Sequence, residues 1–327
     1  MNVIPQILRK VYYYIAIRLK PNYAEAYCFR GSIYAKKGNY DKAISDYNEA
    51  IRIKPNYAEA YCFRGSMYAK KGDYDQAISD YTQAIRLDPN THIYYHYRGN
   101  VYAKKRDYDK AISDYNEAIM LNSDDKYAYI GRGNVYRVKK DYNKAIADYE
   151  SVLRIDRNNY ITVYDLIGLY HKRGDAYAEK GDYGRAISNY TQAIQLEPHY
   201  EDDEECAYWC AYHKRGDAYA KKGDYERAMS DFNEAIRIKP NYAEAYRNRG
   251  VAYGKKSDYD RAISDFTEVI RLNPNDEWAY FGRGILYYRK GNYDQALADY
   301  ESALRIDPNN SEAQKALETL KRKEQKQ

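Results

Sequence analysis

Cys206, Cys210, His213 and Asp217 stand at offsets of 0, 4, 7 and 11, which would place them on one stripe of a helix. Thiolate, imidazole and carboxylate are side chains that hold zinc. A second His-Asp pair, His171 and Asp175, lies in the same nonapeptide context, YHKRGDAYA, written at 170–178 and again at 212–220. Cys206, Cys210, His213 and His171 therefore form a candidate metal set. Their spacing matches none of the familiar zinc signatures. The competing reading is a repeated scaffold that places polar groups along one wall. His92 and His96 make another pair four residues apart, with plain surface as its alternative. No Gly-rich phosphate loop, nucleophile elbow or HExxH stretch occurs, so neither an enzyme nor a bound cofactor is expected.

The elements that must position these groups recur along the chain. Arg-Gly appears with its glycine at 31, 65, 99, 133, 174, 216, 250 and 284, mostly 34 residues apart, with intervals of 41 and 42 around Gly174. The same frame surrounds each glycine. In the second unit it is Tyr61, Gly65, Tyr68, Tyr74, Ala77, Tyr81, Ala84 and Pro89. Apolar positions three and four apart predict a helix over AEAYCFRGSMYAKKG, ended by glycine, and another over YDQAISDYTQAIRLDPN, ended at Asp-Pro-Asn. Gly65 and Ala77 sit where small side chains let two antiparallel helices approach closely.

This frame resembles that of the tetratricopeptide repeat family, with Tyr in place of the usual Trp and Arg in place of the usual Leu. The resemblance covers eight units, about residues 24–308, and Ser123 and Arg157 replace the terminal proline in units three and four. It implies an all-α, right-handed superhelical solenoid of antiparallel helix pairs. The expected division is a partial repeat over 1–23 and units over 24–57, 58–91, 92–125, 126–159, 160–199, 200–242, 243–276 and 277–310. A polar capping helix follows over 311–327. Every unit except the fifth, which has Asn189, carries Asp on its second helix: Asp46, Asp80, Asp114, Asp148, Asp231, Asp265 and Asp299. An arginine stem lying across a tyrosine with its guanidinium on this carboxylate would tie the layers together.

The extra residues of units five and six fall before the first helix. YITVYDLIGLYHKRGDAYAEKG and EDDEECAYWCAYHKRGDAYAKKG both read as single longer helices, with a bulged loop as the alternative. Seven residues would add about 10 Å.

The family resemblance further implies that the first helix of each pair lines a concave face that holds peptides. The places facing it lie three before and one after each repeat glycine: Cys28 and Ser32, Cys62 and Ser66, His96 and Asn100, Ile130 and Asn134. They continue with His171 and Asp175, His213 and Asp217, Arg247 and Val251, Phe281 and Ile285. The Lys-Asn, Asn, Lys-Arg set with which some members clamp a chaperone tail is missing from every run of three units. Another protein, offering a peptide or a helix, is the expected partner. The competing reading is an assembly subunit that joins a larger complex through its caps.

Composition limits the alternatives. The chain has 327 residues, 53 basic against 48 acidic side chains, a net charge of +5 and a mean hydropathy of −0.92. Its branched aliphatic content is low, but 44 tyrosines supply apolar area with a polar tip. Such a core suits thin layers in which hydroxyls reach solvent. Lysine pairs recur late in the first helix, at 36–37, 70–71, 104–105, 221–222 and 255–256. They suit a helix C-terminus, or else form a ridge for an acidic partner. The mild charge argues against nucleic acid. No apolar run long enough for a membrane helix and no secretory signal is read. Four cysteines are too few for a disulfide framework, and Cys28 and Cys62, one period apart, are too distant to pair. Reduced thiols and a cytoplasmic location are expected.

Overall fold

Tyr-Asp-Gln-Ala-Ile-Ser-Asp-Tyr-Thr-Gln-Ala-Ile-Arg-Leu becomes a helix because its small and aromatic residues, Ala77, Tyr81 and Ala84, recur at helical spacing and bury one face. Asp73 starts it by accepting the backbone N–H of Gln76 at 3.3 Å. The computed structural model describes residue 15, residues 17–196 and residues 208–324. Among them the secondary structure is helical, without a strand.

The chain divides into two units, residues 1–162 and 163–327. The first contains the hairpins α1 (Ala24–Lys36) with α2 (Tyr40–Ile53) and α3 (Ala58–Lys71) with α4 (Tyr74–Leu87). It continues with α5 (His92–Lys104), α6 (Tyr108–Leu121), α7 (Lys126–Val138) and α8 (Tyr142–Ile155). Helix α9 (Tyr160–Glu179) begins as this unit ends. The second unit continues with α10 (Tyr183–Gln195), α11 (Tyr208–Lys221), α12 (Tyr225–Ile238), α13 (Ala243–Lys255) and α14 (Tyr259–Leu272). It closes with α15 (Glu277–Lys290), α16 (Tyr293–Ile306) and α17 (Ser311–Glu324).

The 20 residues of α9 form one continuous helix, so the insert of the fifth repeat lengthens a helix rather than bulging as a loop. The insert of the sixth lies mostly at 197–207, outside the described residues, as do residues 1–14. Helix α17 packs on α16 through buried Ala313 and Leu320.

Each hairpin is held by one close approach and one arginine bond, to a carboxylate in every repeat but the fifth. A Cβ on Gly65 would stand 3.1 Å from Asp80 Cβ and 3.2 Å from both the Ala77 carbonyl oxygen and the Tyr81 ring. A side chain there would make the facing atoms of α4 give way by a few tenths of an ångström. One residue earlier, Arg64 donates through Nε (2.8 Å) and Nη2 (2.6 Å) to the two Asp80 oxygens. The same two-pronged bond recurs as Arg30–Asp46, Arg98–Asp114, Arg132–Asp148, Arg215–Asp231, Arg249–Asp265 and Arg283–Asp299. In the fifth repeat Arg173 Nε donates to Asn189 at 2.6 Å. The third nitrogen reaches back to the preceding hairpin: Arg64 to Asn48, Arg98 to Thr82 and Arg132 to Asn116 in the first unit. Arg215 to Thr191, Arg249 to Asn233 and Arg283 to Thr267 repeat this in the second. Each guanidinium also sits over a tyrosine three residues earlier, as Arg64 does over Tyr61 with 5.4 Å to the ring centroid. The tie acts both within and between layers.

Three tyrosines at the centre of a hairpin keep their hydroxyls from solvent, whereas others, such as Tyr127 and Tyr160, are exposed. Tyr47, Tyr115 and Tyr149 are buried, and their hydroxyls are satisfied inside the hairpin. A buried phenol needs a partner, and the first helix supplies it.

Candidate functional site

The position one after each repeat glycine is where that partner comes from. Ser32 Oγ lies 3.3 Å from Tyr47 Oη and Ser66 Oγ 3.0 Å from Tyr81 Oη. Tyr115 donates to Asn100 Oδ1 at 2.7 Å, Tyr149 to Asn134 Oδ1 at 2.8 Å and Tyr190 to Asp175 Oδ1 at 2.7 Å. These expected partner-binding residues thus hold the second helix to the first, a link fifteen residues long that the frame did not disclose. In the sixth repeat the ring is Phe232, which has no hydroxyl. There Asp217 accepts instead from Asn248 of the next hairpin, at 2.7 Å.

The position three before the glycine points inward in several repeats. Cys28 and Cys62 are only 4% and 2% exposed, and burial pushes both thiols up to about 12. They are protonated core groups, offering a partner little surface. His96, His213 and Phe281 are buried as well, whereas Ile130 is partly covered; at the other position, one after the glycine, Val251 is 47% exposed. Arg247 pairs with Asp276 of the next hairpin.

His213 is satisfied on both ring nitrogens. Tyr242 Oη stands 3.0 Å from Nδ1 and donates to Glu244, so it accepts from Nδ1–H. Asn248 Nδ2 stands 3.0 Å from Nε2. A metal would find no free lone pair on this ring. Cys206 lies outside the described residues, and among those described no three His, Cys, Asp or Glu side chains gather to hold an ion. Of the described members, burial raises Cys210, burial and Lys214 lower His171 to about 4, and Lys214 itself bonds Asp175 at 2.6 Å.

The lysine column is not a bare ridge. Lys71 pairs with Asp41 at 2.5 Å and Lys139 with Asp109 at 2.8 Å, each acid lying in the first turn of the preceding second helix. Lys105–Asp75, Lys256–Glu226 and Lys290–Asp260 repeat the link. In the fifth repeat that acidic position is Gly184.

One concavity stands out in the first unit. A cavity of about 830 Å³ is lined by the start of α5 (His92, Ile93, His96, Tyr97), the turn into α7 (Asn122–Tyr127) and the end of α8 (Ile155, Asp156).

The sequence family described as tetratricopeptide repeat matches residues 24–57, 58–91, 93–125, 127–159, 168–200 and 247–311, and the one described as TPR repeat matches 216–257. The chain belongs to the tetratricopeptide repeat family. No curated protein matches it. Among solved structures, a complex of Naa15/Naa10 bound to HypK-THB superposes with a TM-score of 0.64 at 16% identity, covering 89% of this chain and 43% of that one. The C-terminal part of a TPR repeat-containing protein from Cytophaga hutchinsonii gives 0.51 at 20% identity, covering 77% and 98%. The crystal structure of MamA protein gives 0.43 at 26% identity, covering 57% and 94%. The first two bear out the tetratricopeptide fold. Among the described residues no helix is long and apolar enough to cross a membrane.

Proposed function

We propose that this tetratricopeptide repeat chain is a protein-interaction scaffold that holds a peptide or helix of a partner protein along the face of its first helices. The observation that carries it is a contrast within the repeat. The Arg-Asp tie is written nearly identically in every hairpin, while the neighbouring face changes from Ser to Asn to Asp to Val and Ile. Ser, Asn and Asp all serve to hold the tyrosine hydroxyl, so that task leaves the choice among them free to follow a partner. The family to which the chain belongs supports the reading, as do the half-covered Ile130 and the exposed Val251 on that face. The buried, protonated thiols of Cys28 and Cys62 suit a binding protein in a reducing, cytoplasmic setting rather than a thiol enzyme.

Affinity purification with the full chain tests this. Ile130→Glu and Val251→Glu place charge on the face. Lys315→Glu and Lys321→Glu reverse charge on α17 instead. Loss of partners in the first pair with retention in the second supports the scaffold. The opposite pattern overturns it in favour of assembly through the end of the array.

A further inference from the structure

The lysine six places after a repeat glycine has a regular partner. Lys71 reaches Asp41 at 2.5 Å, Lys139 reaches Asp109 at 2.8 Å and Lys256 reaches Glu226 at 2.8 Å. Each acid is the second residue of the preceding hairpin's second helix. Lys105–Asp75 and Lys290–Asp260 repeat the link. At both steps that involve the fifth repeat the sequence withholds the acid. Asn143 stands at that place before Lys180, and Gly184 at that place before Lys222. Among the described residues neither Lys180 nor Lys222 has a carboxylate within ion-pair distance.

The insert before α11 does not break the stacking that carries this link. Arg215 still reaches back to Thr191 at 3.1 Å, as Arg249 does to Asn233 at 2.6 Å. Lys222 and Gly184 line one concavity of about 400 Å³, together with Lys180, Gly181, Asp182 and Tyr183. Asp182 is the single acid of this lining, and Arg185 engages it. Two exposed ammonium groups thus share one concavity with their charge unmatched.

The fold does not require the glycine. Gly181 has φ +76°, but Gly184 has no positive φ. A Cβ on Gly184 would meet only Asp182 Oδ1, at 3.7 Å, an ordinary contact. Glycine also weakens a helix relative to residues that carry a side chain. An aspartate could stand there as Asp75 does in α4 and Asp260 in α14.

We propose that this concavity is a docking site for an acidic segment of a partner protein, whose carboxylates take the place of the acids missing from the repeat, one on Lys222 and one on Lys180. The ligand class follows from the other repeats, where the chain itself answers this lysine position five times with an Asp or Glu carboxylate. A neutral segment would leave both ammonium groups to water, and a basic one would be repelled. Exposed ion pairs are individually weak, so binding needs both lysines and falls with salt. The site lies apart from the positions three before and one after the repeat glycine. It rests on the scaffold reading only in taking a protein segment as the ligand.

The test uses the full chain with carbon-13 in its lysine side chains and three blocked peptides, acetyl-Gly-X-X-Gly-amide with X as Glu, Gln or Lys. At low ionic strength the Glu peptide should shift the Lys180 and Lys222 signals saturably and leave those of the paired Lys71 and Lys139 in place. Added salt should weaken it. Lys222→Gln should weaken binding about threefold, and Gly184→Asp, which gives Lys222 an acid of its own, by a similar factor. Lys71→Gln should change nothing. Equal binding of the Gln peptide, equal shifts at the paired lysines, absence of binding, or an unaltered affinity in Lys222→Gln or Gly184→Asp overturns the proposal. So does binding that arises only once the acids at 201–205 are replaced by amides, since the chain's own stretch would then be the occupant. A failed titration beside a face-dependent purification removes this site alone. A successful titration beside a face-independent one removes the scaffold reading alone.

Discussion

Arg132 and Asp148 lie sixteen residues apart in sequence, and Nη2 of the first stands 2.6 Å from Oδ1 of the second. The carboxylate is almost fully buried and the guanidinium largely so. Burial pushes the Asp148 carboxyl up despite its partner. Removing one member of such a pair leaves an uncompensated charge, whereas replacing both can be neutral. Arg132→Met should therefore destabilise the protein by about 3 kcal/mol. The double variant Arg132→Met with Asp148→Leu should recover most of that loss. Urea unfolding of the three proteins reads the difference. Additive losses would show the pair to be incidental.

Gly131 is a second predicted weak point. A Cβ there would lie 2.5 Å from Tyr115 Cζ, inside a ring that is itself buried. In the second and third repeats the equivalent residues are Phe63 and Tyr97, whose rings stand 5.9 Å from Tyr47 and Tyr81 respectively. In the fourth the Tyr115 ring packs on bare backbone instead. Gly131→Ala should cost about 1–3 kcal/mol through overpacking, measured by thermal or urea unfolding.

Three histidines, His96, His171 and His213, have their pKa values lowered, chiefly by burial. A folded chain that resists protonation is opposed, below pH ~6.5, by an unfolded chain that accepts protons. Stability should therefore fall as the pH drops from ~6.5. The His171 share of the loss stops growing near its folded value of about 4. Urea midpoints between pH 7.5 and 4 test this, and His171→Phe should flatten part of the slope.

The turn between the helices of a hairpin holds one residue with positive φ. Gly72 has φ +84°, but Arg106, Lys140 and Ser257 occupy the same place at +62°, +60° and +62°. A side chain in this region costs about 1 kcal/mol. Arg106→Gly should raise stability by roughly that amount, and Gly72→Ala should lower it similarly. The melting temperatures of the two variants should move in opposite directions.

The hairpins were legible because each one writes its own rule: Gly65 and Ala77 mark the close approach, and Arg64 and Asp80 the tie. The lengthening of α9 was legible as well, since no proline or turn chemistry interrupts Tyr160–Glu179. The roles of the inner-face side chains were not. Ser66 answers Tyr81 across fifteen residues, and Lys71 answers Asp41 across thirty. Helical periodicity reports which residues share a face, but not which facing hydroxyl or carboxylate each will meet. His96 shows this most clearly. Four residues from His92, it reads in the sequence as a candidate pair with plain surface as the alternative. It is buried, and its Nε2 meets Asn100, which also takes the Tyr115 hydroxyl.

The backward reach of each arginine bears on how such a chain changes length. Asn48, Thr82, Asn116, Thr191, Asn233 and Thr267 differ in type, but all present an oxygen to the guanidinium of the following hairpin. Excising residues 58–91 would bring Arg98 to Asn48 instead of Thr82, and duplicating them would bring Arg64 to Thr82. Either junction finds an acceptor already in place. Whole 34-residue segments are in this sense interchangeable parts, so recombination within the gene could lengthen or shorten the protein without stranding a buried charge.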